Sequence, residues 1–226
     1  MYFQIMVLDA VEQLRNKFES VADANKSESM KAYMKGKFEY FGISSPERNS
    51  IQREWFKTTK GLDTWDVVYT LWDQPEREFQ YVAADLLKKM PKKDYKVEDY
   101  KKLEELITTK SWWDSVDGLA SNSAGRYFEI YPETISKVIT RWRESDDMWL
   151  NQTALIFQLK YKEKTDFELM KDLILQFMPI KEFFIQKAIG WALRQYSKTD
   201  PVAVKAFISP LELSTVARRE AWKYIQ

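Results

Sequence analysis

The segment Glu182–Tyr196, EFFIQKAIGWALRQY, decides the fold because it recurs. Glu78–Met90, EFQYVAADLLKKM, and Met148–Tyr161, MWLNQTALIFQLKY, share its frame. Each copy opens on an aromatic residue (Phe79, Trp149, Phe183) and carries alanine five positions later (Ala84, Ala154, Ala188). Each then runs through an apolar stretch into basic residues. Trp149 and Phe183 lie 34 residues apart, and Phe79 and Trp149 lie 70 apart, about two such periods. A middle copy is therefore expected near residue 113, within KSWWDSVDGLA (110–120), and a degenerate last copy at ELSTVARREAWKYI (212–225).

A period of about 35 residues, each unit a helix pair, is the signature of an α-solenoid of HEAT-like or armadillo type. The alanine fits, because a small residue lets neighbouring helices approach closely. The expectation is one all-α domain over residues 1–226, curved, with the second helices of successive repeats lining a concave basic groove. An irregular α-bundle with chance similarity is the alternative.

Local patterning agrees with helix. In FELMKDLILQFM, residues Phe167, Met170, Leu173, Ile174 and Phe177 follow the i, i+3, i+4 rule of a helix with one buried face. Leu103, Leu106 and Ile107 do the same. Breaks fall at SSPERN (44–49), DQPERE (73–78), MPKKDY (90–95), YPET (131–134), MPIKEF (178–183) and KTDPVA (198–203). Several of these place proline where a helix would begin. No strand series is visible.

Composition narrows the chemistry. The 226 residues contain no cysteine and no histidine. Disulfides, thiolate or imidazole zinc sites and Ser-His or Cys-His nucleophiles are thereby excluded within this chain. There are six glycines and no GxGxxG or GxxxxGK phosphate loop. No metal or cofactor is expected. The formal net charge of +1 forecasts no polyanionic partner by itself, so only charge distribution bears on nucleic acid. No stretch approaches the roughly 18 apolar residues of a membrane span. The start, MYFQIMVLDAVEQL, lacks a basic region and a cleavage site, so no signal peptide is expected. The absence of cysteine fits a reducing cytoplasm.

The octet KSWWDSVD (110–117) sets two tryptophans against two carboxylates. On a helix, Trp113 and Asp117 are i, i+4 and share a face, with Lys110 one turn before. Trp112 and Val116 suit a core face. The last clear repeat carries a second stripe: Lys187, Trp191, Arg194 and Lys198 at i, i+4, i+7 and i+11. Arg141, Arg143, Lys160, Lys162, Lys164, Arg218 and Arg219 add cations in the same two-thirds of the chain. Phosphates favour such a surface, and exposed rings stack on bases or sugars. Spacing alone leaves the bland alternative open: a tryptophan at helical spacing serves a core equally well, and a Lys/Arg stripe is usually a solvated face.

KSWWDSVD, ALIFQLKYK (154–162) and KEFFIQKAIGWALRQY (181–196), with YMKGKFEYFGISSPERN (33–49) and LWDQPEREFQ (71–80), closely resemble the AlkD-like DNA glycosylases, bacterial DNA alkylation repair enzymes built from HEAT-like repeats. The resemblance covers nearly the whole chain in order. The chain ends soon after ARREAWKYI (217–225), earlier than the family pattern leads one to expect. The resemblance implies hydrolysis of the N-glycosidic bond of N3- and N7-alkylated purines such as 3-methyladenine and 7-methylguanine. It implies Asp117 as the catalytic carboxylate and Trp113 and Trp191 as the aromatic cleft residues. Gln152, Lys110, Lys160, Lys162, Lys187, Arg194 and Lys198 are the expected DNA contacts. In Trp149-Leu150-Asn151-Gln152, Gln152 stands where the family pattern has arginine, which keeps hydrogen bonding and loses the charge. The implied partner is duplex DNA bearing alkylated purines, bound by a monomer in a bacterial cytoplasm, associated with the nucleoid. Two alternatives stay open: a DNA-binding relative with weak or no excision, motivated by Gln152, and a protein-binding HEAT scaffold.

Overall fold

In the computed structural model, which describes residues 2–225, each clear repeat segment forms the second helix of a packed pair. The contacts divide the chain into two compact units, Met1–Pro91 and Lys92–Gln226. The first unit holds α1 (Tyr2–Glu19), α2 (Ala24–Tyr33), α3 (Ser45–Trp55), α4 (Thr64–Asp73) and α5 (Arg77–Lys89). The second holds α6 (Asp99–Thr108), α7 (Trp113–Gly118), α8 (Gly125–Ile130), α9 (Ile135–Arg143) and α10 (Met148–Ile156). It continues with α11 (Phe167–Phe177), α12 (Phe183–Tyr196), α13 (Pro201–Ile208) and α14 (Thr215–Ala221). No strand occurs among the described residues, only an isolated bridge between Glu39 and Glu76. This is an all-α helical-repeat fold, as the periodicity predicts.

The helix boundaries follow the prolines. Pro46 and Pro201 sit in the first turns of α3 and α13, where the missing N–H costs nothing. Pro132 opens the short 3-10 turn Pro132–Thr134 ahead of α9.

The small-residue expectation holds in two copies and shifts in the third. Ala154 and Ala188 are buried in α10 and α12. In α5 the buried alanine is Ala83, while Ala84 is half-buried. Phe79, Val82, Ala83 and Leu87 form the buried stripe of that helix, and Ala84 lies about a hundred degrees off it. Gly190 shows how tight this packing becomes. A Cβ there would lie 2.7 Å from Glu220 Cβ and 3.0 Å from the Ala217 carbonyl of α14.

A buried amide recurs with the repeat, which the sequence comparison missed. Gln80 Nε2 donates to the Trp72 and Gln74 carbonyls at 3.0 and 2.8 Å, at the end of α4. Asn151 Nδ2 donates to Trp142 and Ser145 at 2.8 and 3.0 Å, after α9. Gln186 Nε2 donates to Met178 and Ile180 at 3.1 and 2.5 Å, after α11. Each amide sits near the start of the second helix and satisfies carbonyls orphaned at the end of the first. The signal is an amide one, two or three residues after the aromatic anchor, too loose a spacing to mark a motif.

Helix α10 is the centre of the second unit. Asp147 caps it, accepting from the Trp149 and Leu150 N–H groups at 2.8 and 3.1 Å. All residues from Trp149 to Ile156 are buried, including the polar Asn151, Gln152 and Thr153. A helix buried all round must satisfy its polar side chains internally. One of those side chains, Gln152, points to the site.

Candidate active site

The acid-bearing octet does not form one continuous helix. Helix α6 ends at Thr108, where hydroxyls turn back onto the preceding turn. Thr108 and Thr109 donate to Glu104 and Glu105 at 2.9 and 2.6 Å, and Ser111 donates to Ile107 at 2.6 Å. Lys110 therefore lies in a loop, in left-handed backbone with φ 48°, and not on a helical stripe with Trp113. Trp112 is fully extended (φ −161°, ψ 159°) and leads into α7. That extension aims its ring into the second unit, edge-on to Trp149 (5.8 Å) and Phe184 (5.4 Å). Its neighbour Trp113 starts α7, and Asp117 follows one turn later, as the spacing predicts. Val116 is fully buried. After Gly118 the helix widens into a π-helical turn, Leu119–Ala124, before α8. π turns interrupt helices frequently at functional sites.

Asp117 is the focus. Gln152 Nε2 of α10 donates to its Oδ1 at 2.6 Å. Burial pushes the Asp117 carboxyl up, to about 6. The positive charge of Lys187 and the Gln152 hydrogen bond hold it down against that push, and the charge of Asp114 adds to it. Gln152 itself is only 2% exposed, so its amide is spent on Asp117 inside the protein and is not presented at the surface. Its Oε1 is buried with no hydrogen-bond partner.

Lys187 joins the aromatic residues. Its Nζ lies 4.4 Å from the centroid of the Trp191 ring, 5.9 Å from that of Trp113 and 6.0 Å from that of Phe183. Trp113 and Trp191 are both half-buried, so neither is lost to the core. The structure thus brings together Asp117, Trp113, Trp191, Gln152 and Lys187, on α7, α10 and α12 of a single unit.

The remaining cations lie elsewhere or are otherwise engaged. Arg194 approaches the Trp191 ring at 5.8 Å and is ion-paired with Glu220. Lys198 follows the end of α12, donating to Gln195 at 3.0 Å with its Nζ 5.0 Å from the Tyr224 ring. Lys160 donates to Asn122. Lys162 opens the exposed turn Lys162–Lys164 in left-handed backbone with φ 52°. Phe183, 54% exposed beside Lys187, was not anticipated as a site residue. The spacing Phe183, Lys187, Trp191 at successive i, i+4 positions was the available signal.

The family model described as DNA alkylation repair enzyme matches residues 14–225. The chain belongs to that family. A solved structure titled as a predicted DNA alkylation repair enzyme from Enterococcus faecalis is 33% identical to it. That similarity covers 90% of this chain and 96% of the other, with a TM-score of 0.82. No curated protein matches the chain. Membership in the family of DNA alkylation repair enzymes supports a DNA-repair role and a DNA substrate. Among the described residues no cluster of three metal-ligating side chains occurs, and no helix is long and apolar enough to cross a membrane.

Proposed function

We propose that this protein is a DNA glycosylase that hydrolyses the N-glycosidic bond of cationic N3- and N7-alkylated purines in duplex DNA. One observation carries the proposal. Asp117 sits partly buried one turn from the Trp113 indole, with the charge of Lys187 linking it to the Trp191 indole and one amide N–H fixing a carboxylate oxygen. The chemistry needs little else. Alkylation makes the purine cationic, so it leaves as a neutral base when the C1′–N bond breaks, and no acid has to protonate it. Positive charge passes to the deoxyribose. A preorganised carboxylate is the matching counter-charge, and indole faces add about 0.5–2 kcal/mol each. Water then adds to C1′, and Asp117 orients it and takes its proton. With a carboxyl near 6, the ionised form predominates at neutral pH. The proposal includes one DNA-binding domain over residues 1–226, built of HEAT-like repeats and acting as a monomer.

The test is release of 7-methylguanine from methylated duplex, measured against the spontaneous rate. No release above that rate, with duplex binding intact, overturns it.

Gln152 favours a second reading: a DNA-binding relative with slow or no excision. A neutral, buried amide adjoins Asp117, where the resembling enzymes' pattern has arginine. A cation there would attract phosphate and an amide does not. Under this reading Gln152→Arg raises both duplex affinity and base release. An unchanged rate and affinity would remove Gln152 as the cause of any inactivity.

A further inference from the structure

Three rings near the Asp117 site already hold a cation, the ammonium of Lys187. Phe183, Lys187 and Trp191 follow one another along a single face of α12, and Trp113 faces them from α7. The Lys187 ammonium lies 4.4 Å from the Trp191 centroid, within the range of a strong cation–π contact. Trp113 and Phe183 lie at its outer limit, 5.9 and 6.0 Å away. Its charge also reaches Asp117, holding the pKa of that carboxyl down against burial. Three π faces and a carboxylate make a cage for any compact cation. Lysine differs from arginine here: a point charge on a flexible four-carbon stem moves away without breaking a bidentate fork.

We propose that Lys187 is a tethered placeholder, whose ammonium occupies the cage of Trp113, Phe183 and Trp191 in the free protein and swings out to a DNA phosphate when a cationic nucleoside takes its place. This rests on the site assignment proposed above, but not on excision being fast. The exchange keeps Asp117 charge-compensated in both states. It also makes entry of the lesion depend on the DNA backbone being engaged. A free cation competes with lysine for the cage, whereas a lesion in duplex brings the phosphate that draws lysine off. Selection of duplex over free base follows.

The probe is N-methylpyridinium, a permanently charged planar cation, titrated into the full chain while the indole N–H resonances are followed by NMR. Lys187→Met empties the cage and is expected to bind this cation about tenfold more tightly than the parent. Lys187→Arg keeps a charge and stays close to the parent. For duplex DNA, Lys187→Met loses one phosphate contact, so the slope of log affinity against log salt falls by about one. Equal or weaker cation binding in Lys187→Met overturns the proposal, as does an unchanged salt slope. Base release is not the readout. An excision-inactive protein whose Lys187→Met variant binds the cation more tightly supports the placeholder. An active protein with unchanged cation affinity overturns it and leaves the glycosylase site standing.

Discussion

Glu78 in the first unit and Asp117 in the second are both carboxylates whose pKa burial pushes up. They differ in how they are satisfied. Glu78 is 1% exposed and accepts three backbone N–H bonds, from Phe41, Gly42 and Ile43, at 3.2, 3.0 and 3.2 Å. Asp117 takes one N–H, from Gln152, and shares a half-exposed site with two indoles and an ammonium. A saturated acid pins a loop to a helix. An undersaturated acid keeps lone pairs for a substrate. Burial alone marks neither as functional; the count of protein donors separates them.

The largest effect should come from Asp117→Asn. It removes the counter-charge without changing size, and base release is expected to fall by about 10²–10³-fold. Duplex affinity, measured by fluorescence anisotropy, should stay within about twofold of the parent. Glu78→Ala should do the reverse. It strands three buried N–H groups, at a cost of about 2–4 kcal/mol in urea unfolding, and leaves the release rate per folded molecule near the parent's. If Glu78→Ala abolished release in well-folded protein, the contrast would break.

Next in size is the dependence on pH. The Asp117 carboxyl lies near 6 in the folded protein, against 3.8 unfolded. A raised folded value means its stabilising contribution is complete below pH 3.8 and is lost as pH rises through 6. Asp117→Asn should therefore gain on the parent with rising pH, by about 2–3 kcal/mol at pH 7, read from thermal or urea melts at several pH values. Base release should run the opposite way, rising as pH climbs through about 6. A rate flat across that range would show that the ionised carboxylate is not needed.

The smallest change expected is that of Gln152→Ala. Losing its N–H leaves burial less opposed, so the inflection in the pH–rate profile should move upward. The rate at pH 7 should fall several-fold, while the high-pH plateau is retained. A lower plateau with an unmoved inflection would mean that Gln152 acts on the substrate and not through Asp117.

The repeat frame, the proline boundaries and the Trp113–Asp117 spacing were legible in the chain, because each reflects local periodicity or a fixed backbone angle. Other features were not. A run of hydroxyls ended α6 early and moved Lys110 off the helix, a competition between side chain and backbone that apolar spacing does not report. Ala83 replaced Ala84 at the buried position because the phase of α5 is set by the whole stripe and not by one anchor. Gln152 looked like a surface contact on α10, and only the encirclement of that helix turned it inward to Asp117.

The sequence by itself determined the class of fold, the family and the absence of histidine and cysteine chemistry. It also placed one acid a turn away from one indole. Tertiary structure decided which residues meet. Lys187 joins Trp191 to Trp113, and Asp117 finds its donor 35 positions away on α10. Spacing along a helix tells which side chains share a face. Which face meets which neighbour, and how much water is excluded between them, is set by packing three helices together.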